Sequence, residues 1–199
     1  MRLLLVSDEE DPHYWDYFRR GRLDGIDLIL SAGDLKAEYL SFLVTMGHAP
    51  VLYVPGNHDG SFETFPPEGC DCIDGSLVTV NGLRILGLGG CPLYSGGPHQ
   101  YTERQMRRRI RKLYFLLRRA KGVDLILTHA PPRGLGDLED PAHRGFSCYL
   151  DLLDKYRPRY WVHGHVHPRY RFGLPTETQY GSTTVLNACG SRILEIPDP

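Results

Sequence analysis

The stretch "LLLVSDEEDP", residues 3–12, sets the architecture. Four consecutive apolar residues, Leu3 to Val6, stop abruptly at Ser7-Asp8-Glu9-Glu10-Asp11. Apolar side chains at successive positions, without alternation, suit a strand buried on both faces. A buried strand that delivers carboxylates at its end can build a metal or phosphate site.

The same kind of run recurs along the chain: "IDLIL" (26–30), "VLYV" (51–54), "LRILGL" (83–88), "VDLILT" (123–128) and "RYWVH" (159–163). Helical segments are expected between them. "HYWDYFRR" (13–20) is one, and "LKAEYLSFLVTMG" (35–47) is a second, with Gly47 as its C-terminal stop. The clearest is 102–122, where Thr102 and Gln105 form a capping-box pattern. Met106, Ile110, Leu113 and Leu117 make one apolar stripe along it. A fourth helix is expected over 147–157 with Ser147 as cap, and 168–199 reads as short strands and turns. Strands alternating with helices argue for an α/β fold. The absence of linkers and repeats reads as a single domain over residues 1–199.

Composition narrows the function. The 199 residues can bury a real core. Lysine plus arginine total 23 against 24 acids, so the net charge of -1 argues against general affinity for nucleic acid. Five cysteines, an odd number with no CxxC pair, read as free thiols in a reducing cytosol. One arginine and four apolar residues before Ser7 are too short for a signal-peptide core, and nothing approaches the ~20 apolar residues that span a bilayer. A cytoplasmic protein without a membrane segment is expected.

The decisive pattern is positional. Five of these runs end in polar residues: Ser7-Asp8-Glu9-Glu10, Gly33-Asp34, Gly56-Asn57-His58-Asp59, Thr128-His129, and His163-Gly164-His165-Val166-His167. In open α/β sheets, ligands bind outside the carboxyl ends of the strands, where separate loops can converge. Singly, each residue has a plainer reading. An Asp at a strand end is usually a turn or cap residue, Asn57 suits a left-handed turn, and a lone histidine is usually a hydrogen-bonded core or loop residue. Jointly they offer carboxylate, amide and imidazole donors with no thiolate, which suits Mn²⁺, Fe²⁺, Zn²⁺ or Mg²⁺ more than a structural zinc. There are more donors than one ion needs, so two ions roughly 3.5–4 Å apart are the economical use of them.

At these residues the chain resembles the calcineurin-like metallophosphoesterase superfamily. That pattern runs D-x-H, G-D, G-N-H-D/E, a lone His, then G-H-x-H, and the likeness spans residues 1 to about 190. "THAPPRGLGD" (128–137) further resembles a small bacterial branch of predicted phosphoesterases. The resemblance implies a sandwich of two mixed β-sheets flanked by helices. It also implies a dinuclear hydrolase of phosphodiesters or phosphomonoesters that uses a metal-bridging hydroxide. By the same resemblance Asp34 bridges both metals, Asp8 and His167 hold the first, and Asn57, His129 and His165 hold the second. His58 faces the scissile phosphate and Asp59 orients its imidazole.

One position departs from the family. Glu10 stands where the first motif ends in His. It is expected to serve the first metal, directly or through water, making that site harder and favouring Mn²⁺ or Mg²⁺; a weak first site is the alternative. Glu9 and Asp11 read as charge at the start of the helix over 13–20, with Pro12 in its first turn.

Other clusters read more plainly. Nine basic residues between Arg104 and Lys121 form a solvated helix face. His163 is a core residue, His13 and His48 have no special context, and Cys70-Asp71-Cys72 is loop. His99 and His143 lie in loops that could overhang the metals. The expected substrate is a small, nucleotide-like phosphoester. The rival reading is a phosphatase-fold scaffold that binds a partner without catalysis. Retention of His58 and of six of the seven metal-ligand positions favours the enzyme.

Overall fold

The structure, a computed structural model, describes residues 1–170 and 172–197. The chain opens with β1 (Arg2–Ser7), β2 (Leu28–Ser31), α1 (Ala37–Gly47), β3 (Val51–Tyr53) and β4 (Asp71–Cys72). Next come β5 (Ser76–Val80), β6 (Leu83–Leu88), β7 (Cys91–Pro92) and β8 (Gln100–Tyr101). The middle holds α2 (Glu103–Lys112), α3 (Tyr114–Arg119), β9 (Leu125–Thr128), α4 (Cys148–Tyr156) and β10 (Tyr160–His163). It closes with β11 (Glu177–Tyr180), β12 (Thr183–Asn187) and β13 (Gly190–Glu195).

Two large mixed sheets result. One has the order β13-β1-β2-β3-β4 and the other β11-β12-β10-β9-β6-β5, while β7 and β8 form a small parallel pair. In the first, β1 to β4 run parallel and only β13 is antiparallel. In the second, β6, β9, β10 and β12 are parallel, with β5 and β11 antiparallel at the edges. This is the sandwich that the resemblance implied.

The continuous apolar runs explain the layering. Side chains alternate across a strand, so Leu3 and Leu5 point between the sheets while Leu4 and Val6 point to α1. Leu3, Leu5, Leu28 and Leu30 accordingly pack against Ile85, Leu125, Leu127 and Val162 of the second sheet. Leu4, Val6 and Ile29 pack against Tyr39, Leu40 and Leu43 of α1. The outer face of the second sheet, with Ile126, Trp161 and Val185, is covered by Met106, Leu113, Leu117, Leu152 and Leu153. Burying each such aliphatic side chain contributes roughly 2 kcal/mol. No helix among the described residues is long and apolar enough to cross a membrane.

Several expectations need correction. Residues 13–20 do not form a helix; a single 3-10 turn covers Pro12–Tyr14. Trp15 and Phe18 each meet the Phe42 ring of α1 edge-on, and the segment is held by this packing in turns rather than by a helical ladder. The helix expected over 102–122 is two. Leu113 closes a tight turn to Ile110 O at 3.0 Å, keeping Leu117 in the core while Phe115 is turned out to solvent. The capping box of Thr102 and Gln105 and the buried stripe are present. The left-handed residue that ends α1 is His48, not Gly47. Ser147 sits at the start of α4 without capping it through its side chain; the Glu103 carboxylate accepts from the Ser147 and Cys148 N–H groups instead.

Candidate metal centre

Three parallel strands of the first sheet and two of the second end at the same edge, and their loops are stitched together there. Asp8 N–H donates to Gly33 O at 3.0 Å, and Gly164 N–H donates to His129 O at 2.9 Å. His165 N–H donates to the Asp8 carboxylate at 2.9 and 3.0 Å, joining the two sheets. Asp8, Asp34 and His165 all have positive φ, of 62°, 57° and 68°. Non-glycine residues rarely adopt this region, and such strain concentrates at functional sites. Gly56 and Gly164 permit the close approach: a Cβ on Gly56 would overlap Asp34 Oδ1, and one on Gly164 would overlap Ser7 Oγ.

Donor atoms of Asp34, His129 and His165 converge within 4.8 Å of one another. His129 is buried; its Nδ1 donates to Ala32 O at 2.7 Å, which turns Nε2 toward Asp34 Oδ2 at 3.3 Å and Asn57 Oδ1 at 3.0 Å. His165 Nε2 donates to Ala142 O at 2.7 Å, leaving Nδ1 for the cluster. A ring nitrogen tied to a carbonyl fixes the tautomer and aims the other nitrogen, the usual arrangement behind a metal ligand. These donors therefore fit a divalent ion.

The electrostatics agree. Burial alone would raise the Asp34 carboxyl, but the charge and hydrogen bond of His129 and the His58 N–H outweigh it and bring it to about 2. Burial likewise disfavours a charged His129, yet Asp34 and Asp8 raise it to about 9. A proton thus sits on the imidazole where oxygen donors call for a cation. His165 falls to about 3, through burial and then the charge of His129. Asp8 is raised, chiefly by burial.

Asp59 is used differently from expectation. Its Oδ2 accepts from Asp34 N–H and Gly56 N–H, both at 2.8 Å, and no hydrogen bond joins it to the His58 ring among the described residues. It pins the loops carrying Asp34 and Asn57, and burial raises its carboxyl to about 6. The exposed His58 donates its N–H to Asp34 Oδ1 at 2.8 Å and lines a cleft of about 390 Å³ with Asp34, Glu10, Lys36, Phe62 and Phe65.

Glu10 points to Lys36, with Oε1 3.6 Å from Nζ, and joins neither convergent donor group. Glu9 also departs from its expected role at a helix start. Its Oε1 lies 2.8 Å from His167 Nδ1 and 3.0 Å from Arg169 Nη1. Asp11 caps only the 3-10 turn at Pro12–Tyr14, accepting from His13 N–H at 2.8 Å, since the helix over 13–20 is not formed. His167 Nε2 is 3.9 Å from Asp8 Oδ1. His163 is a core residue, buried and lowered to about 4 by that burial.

Both overhanging loops reach the centre. Tyr94, in the loop that also holds His99, takes the Asn57 Nδ2 hydrogen at 3.3 Å, and the His143 ring lies 5.4 Å from that of His165. Sequence reasoning missed Glu9, Lys36, Tyr94 and Cys189. Cys189 had a legible signal: it follows a strand end, β12, as the other site residues follow theirs.

Comparison with known proteins agrees with this geometry. A model of the calcineurin-like phosphoesterase domain matches residues 1–169. Metallophosphoesterase domain-containing protein 1 of Homo sapiens is 28% identical over 203 aligned positions, covering 81% of this chain and 59% of that protein. A lariat debranching enzyme of Schizosaccharomyces pombe is 24% identical, covering 73% of this chain and 43% of that protein. The chain thus spans less than two thirds of the length of these relatives. The solved structure of TT1561 of Thermus thermophilus superposes with a TM-score of 0.59 at 17% identity, covering 95% of this chain and 89% of that one. Sheets, strand-end donors and domain match converge, and the chain belongs to the calcineurin-like phosphoesterase family, a family of metal-dependent phosphoester hydrolases.

Proposed function

We propose that this chain hydrolyses a small phosphodiester or phosphomonoester with two divalent ions. The observation that carries the reading is the convergence of Asp34, Asn57, His129 and His165 from four strand-end loops, with Asp8 and His167 beside them. When bound, the ions would polarise the phosphoryl oxygen and activate water.

The chain's own residues divide the remaining tasks. Asp34 would bridge the two ions, its negative charge retained near neutral pH by His129. Gly56 and Gly164 allow the loops to close on it. His58, exposed in the cleft, is placed to stabilise or protonate the leaving oxygen. Lys36 at the same cleft can neutralise a phosphate oxygen, and Phe62 and the exposed Phe65 offer aromatic faces for a nucleotide-like group. Five free cysteines suit a reducing cytoplasm.

The test is hydrolysis of bis-p-nitrophenyl phosphate and p-nitrophenyl phosphate with Mn²⁺, then Fe²⁺, Zn²⁺ and Mg²⁺. Metal-stimulated turnover that drops at least about 100-fold in His58→Ala supports the reading. Turnover no higher than that of His58→Ala with every ion would instead favour a non-catalytic scaffold.

A further inference from the structure

Glu9, His167 and Cys189 bring a carboxylate oxygen, an imidazole nitrogen and a thiol sulfur within 4.8 Å of one another. His167 Nδ1 is 2.8 Å from Glu9 Oε1 and 3.6 Å from Cys189 Sγ. The family pattern uses neither Glu9 nor Cys189. Glu9 immediately precedes Glu10, the position where that pattern is broken.

The thiol is held in place by backbone contacts. Cys189 is bridged to Ser7, the residue before Asp8. Its N–H donates to Asn187 Oδ1 at 2.9 Å, while Asn187 Nδ2 donates to Val166 O at 2.7 Å, one residue before His167. The buried Asn187 side chain therefore sets the distance between the segments carrying the sulfur and the imidazole. If Glu9 served only to orient His167, the sulfur would need no such placement.

We propose that these three residues form a thiolate-containing metal position at the first-site edge of the centre, with His167 binding through Nδ1. This deepens the two-metal reading, on which it rests, and changes its donor set. Coordination releases the thiol proton to solvent. Nε2 then keeps its proton and faces Asp8 Oδ1, 3.9 Å away. Thiolate with imidazole selects a softer ion, Zn²⁺, Fe²⁺ or Co²⁺, over the Mg²⁺ or Mn²⁺ that Glu10 alone suggested. Arg169 shares the Glu9 oxygen at 3.0 Å, so an incoming cation would compete with it.

The probe is Co²⁺ added anaerobically to the metal-free full chain. The expected result is a near-ultraviolet thiolate-to-cobalt charge-transfer band, lost in Cys189→Ala and Cys189→Ser, weakened in Glu9→Gln and kept in Glu10→Gln. The alanine and serine variants should melt within a few degrees of wild type. Because the wild-type spectrum is itself diagnostic, a poorly folded variant does not rescue the idea. Two cobalt ions bound with no such band, or a band that survives Cys189 replacement, would overturn it and leave Glu9 as an orienting carboxylate with the two-metal reading intact. Failure to bind any cobalt would overturn both.

Discussion

His129 Nε2 lies 3.3 Å from Asp34 Oδ2, with the imidazole fully buried. Without a cation, a proton on that ring is the simplest way to offset the carboxylates around it. His129 is raised to about 9 in the fold, above an unfolded value near 6.5. Its stabilising contribution is therefore complete below about pH 6.5 and is lost as pH rises through 9. The melting temperature of chelator-treated protein should fall between pH 7 and 9.5, and less steeply in His129→Gln. Saturating Mn²⁺, which replaces the proton, should flatten the curve. A level profile in chelated wild type would refute this account of His129.

Gly56→Ala forces a methyl into Asp34 Oδ1 and the His129 ring. Both groups are held by hydrogen bonds, Asp34 Oδ1 by the His58 N–H and His129 Nδ1 by Ala32 O, so the loop must move. Elemental analysis should find at least one ion lost, with turnover down about 100-fold. Full metal content with normal turnover would show that the loop yields more easily than its packing indicates.

Arg109 ties the loop behind the centre. Its Nη2 meets both Asp74 oxygens at 2.5 Å, its Nη1 donates to Gly89 O at 2.8 Å, and its guanidinium lies 4.3 Å over the Tyr101 ring. Removing one partner leaves Asp74 mostly buried without its counter-charge. Arg109→Ala should cost about 3 kcal/mol in urea unfolding. A loss under about 1 kcal/mol would mean that solvent already screens the pair.

Lys36 lines the cleft beside Glu10, with Nζ 3.6 Å from Oε1. Its charge should help hold substrate in ground and transition states alike. Lys36→Ala should raise KM about tenfold with kcat little changed, the mark of uniform binding. A fall in kcat at constant KM would instead place Lys36 in the chemistry.

Much of this fold and site is legible in the sequence. The runs at 3–6, 26–30, 51–54 and 123–128 read directly as doubly buried strands because both faces of each really are covered. The polar residues after them read as one site because parallel strands share an end. The Thr102–Gln105 cap was readable because its partners are three residues apart. Residues 13–20 misread because aromatic packing onto Phe42, a long-range contact, settles that segment in turns.

The order of strand-end residues by itself determined the fold class and brought Asp8, Asp34, Asn57, His129, His165 and His167 under suspicion. Only the tertiary structure decided which carboxylate of "LLLVSDEEDP" faces the centre beside Asp8. Glu9 meets His167, while Glu10 turns to Lys36. Local sequence cannot separate two adjacent acids in a turn. Their directions follow from the positive φ of Asp8 and from partners about 26 and 158 residues away, which meet only when both sheets are in place.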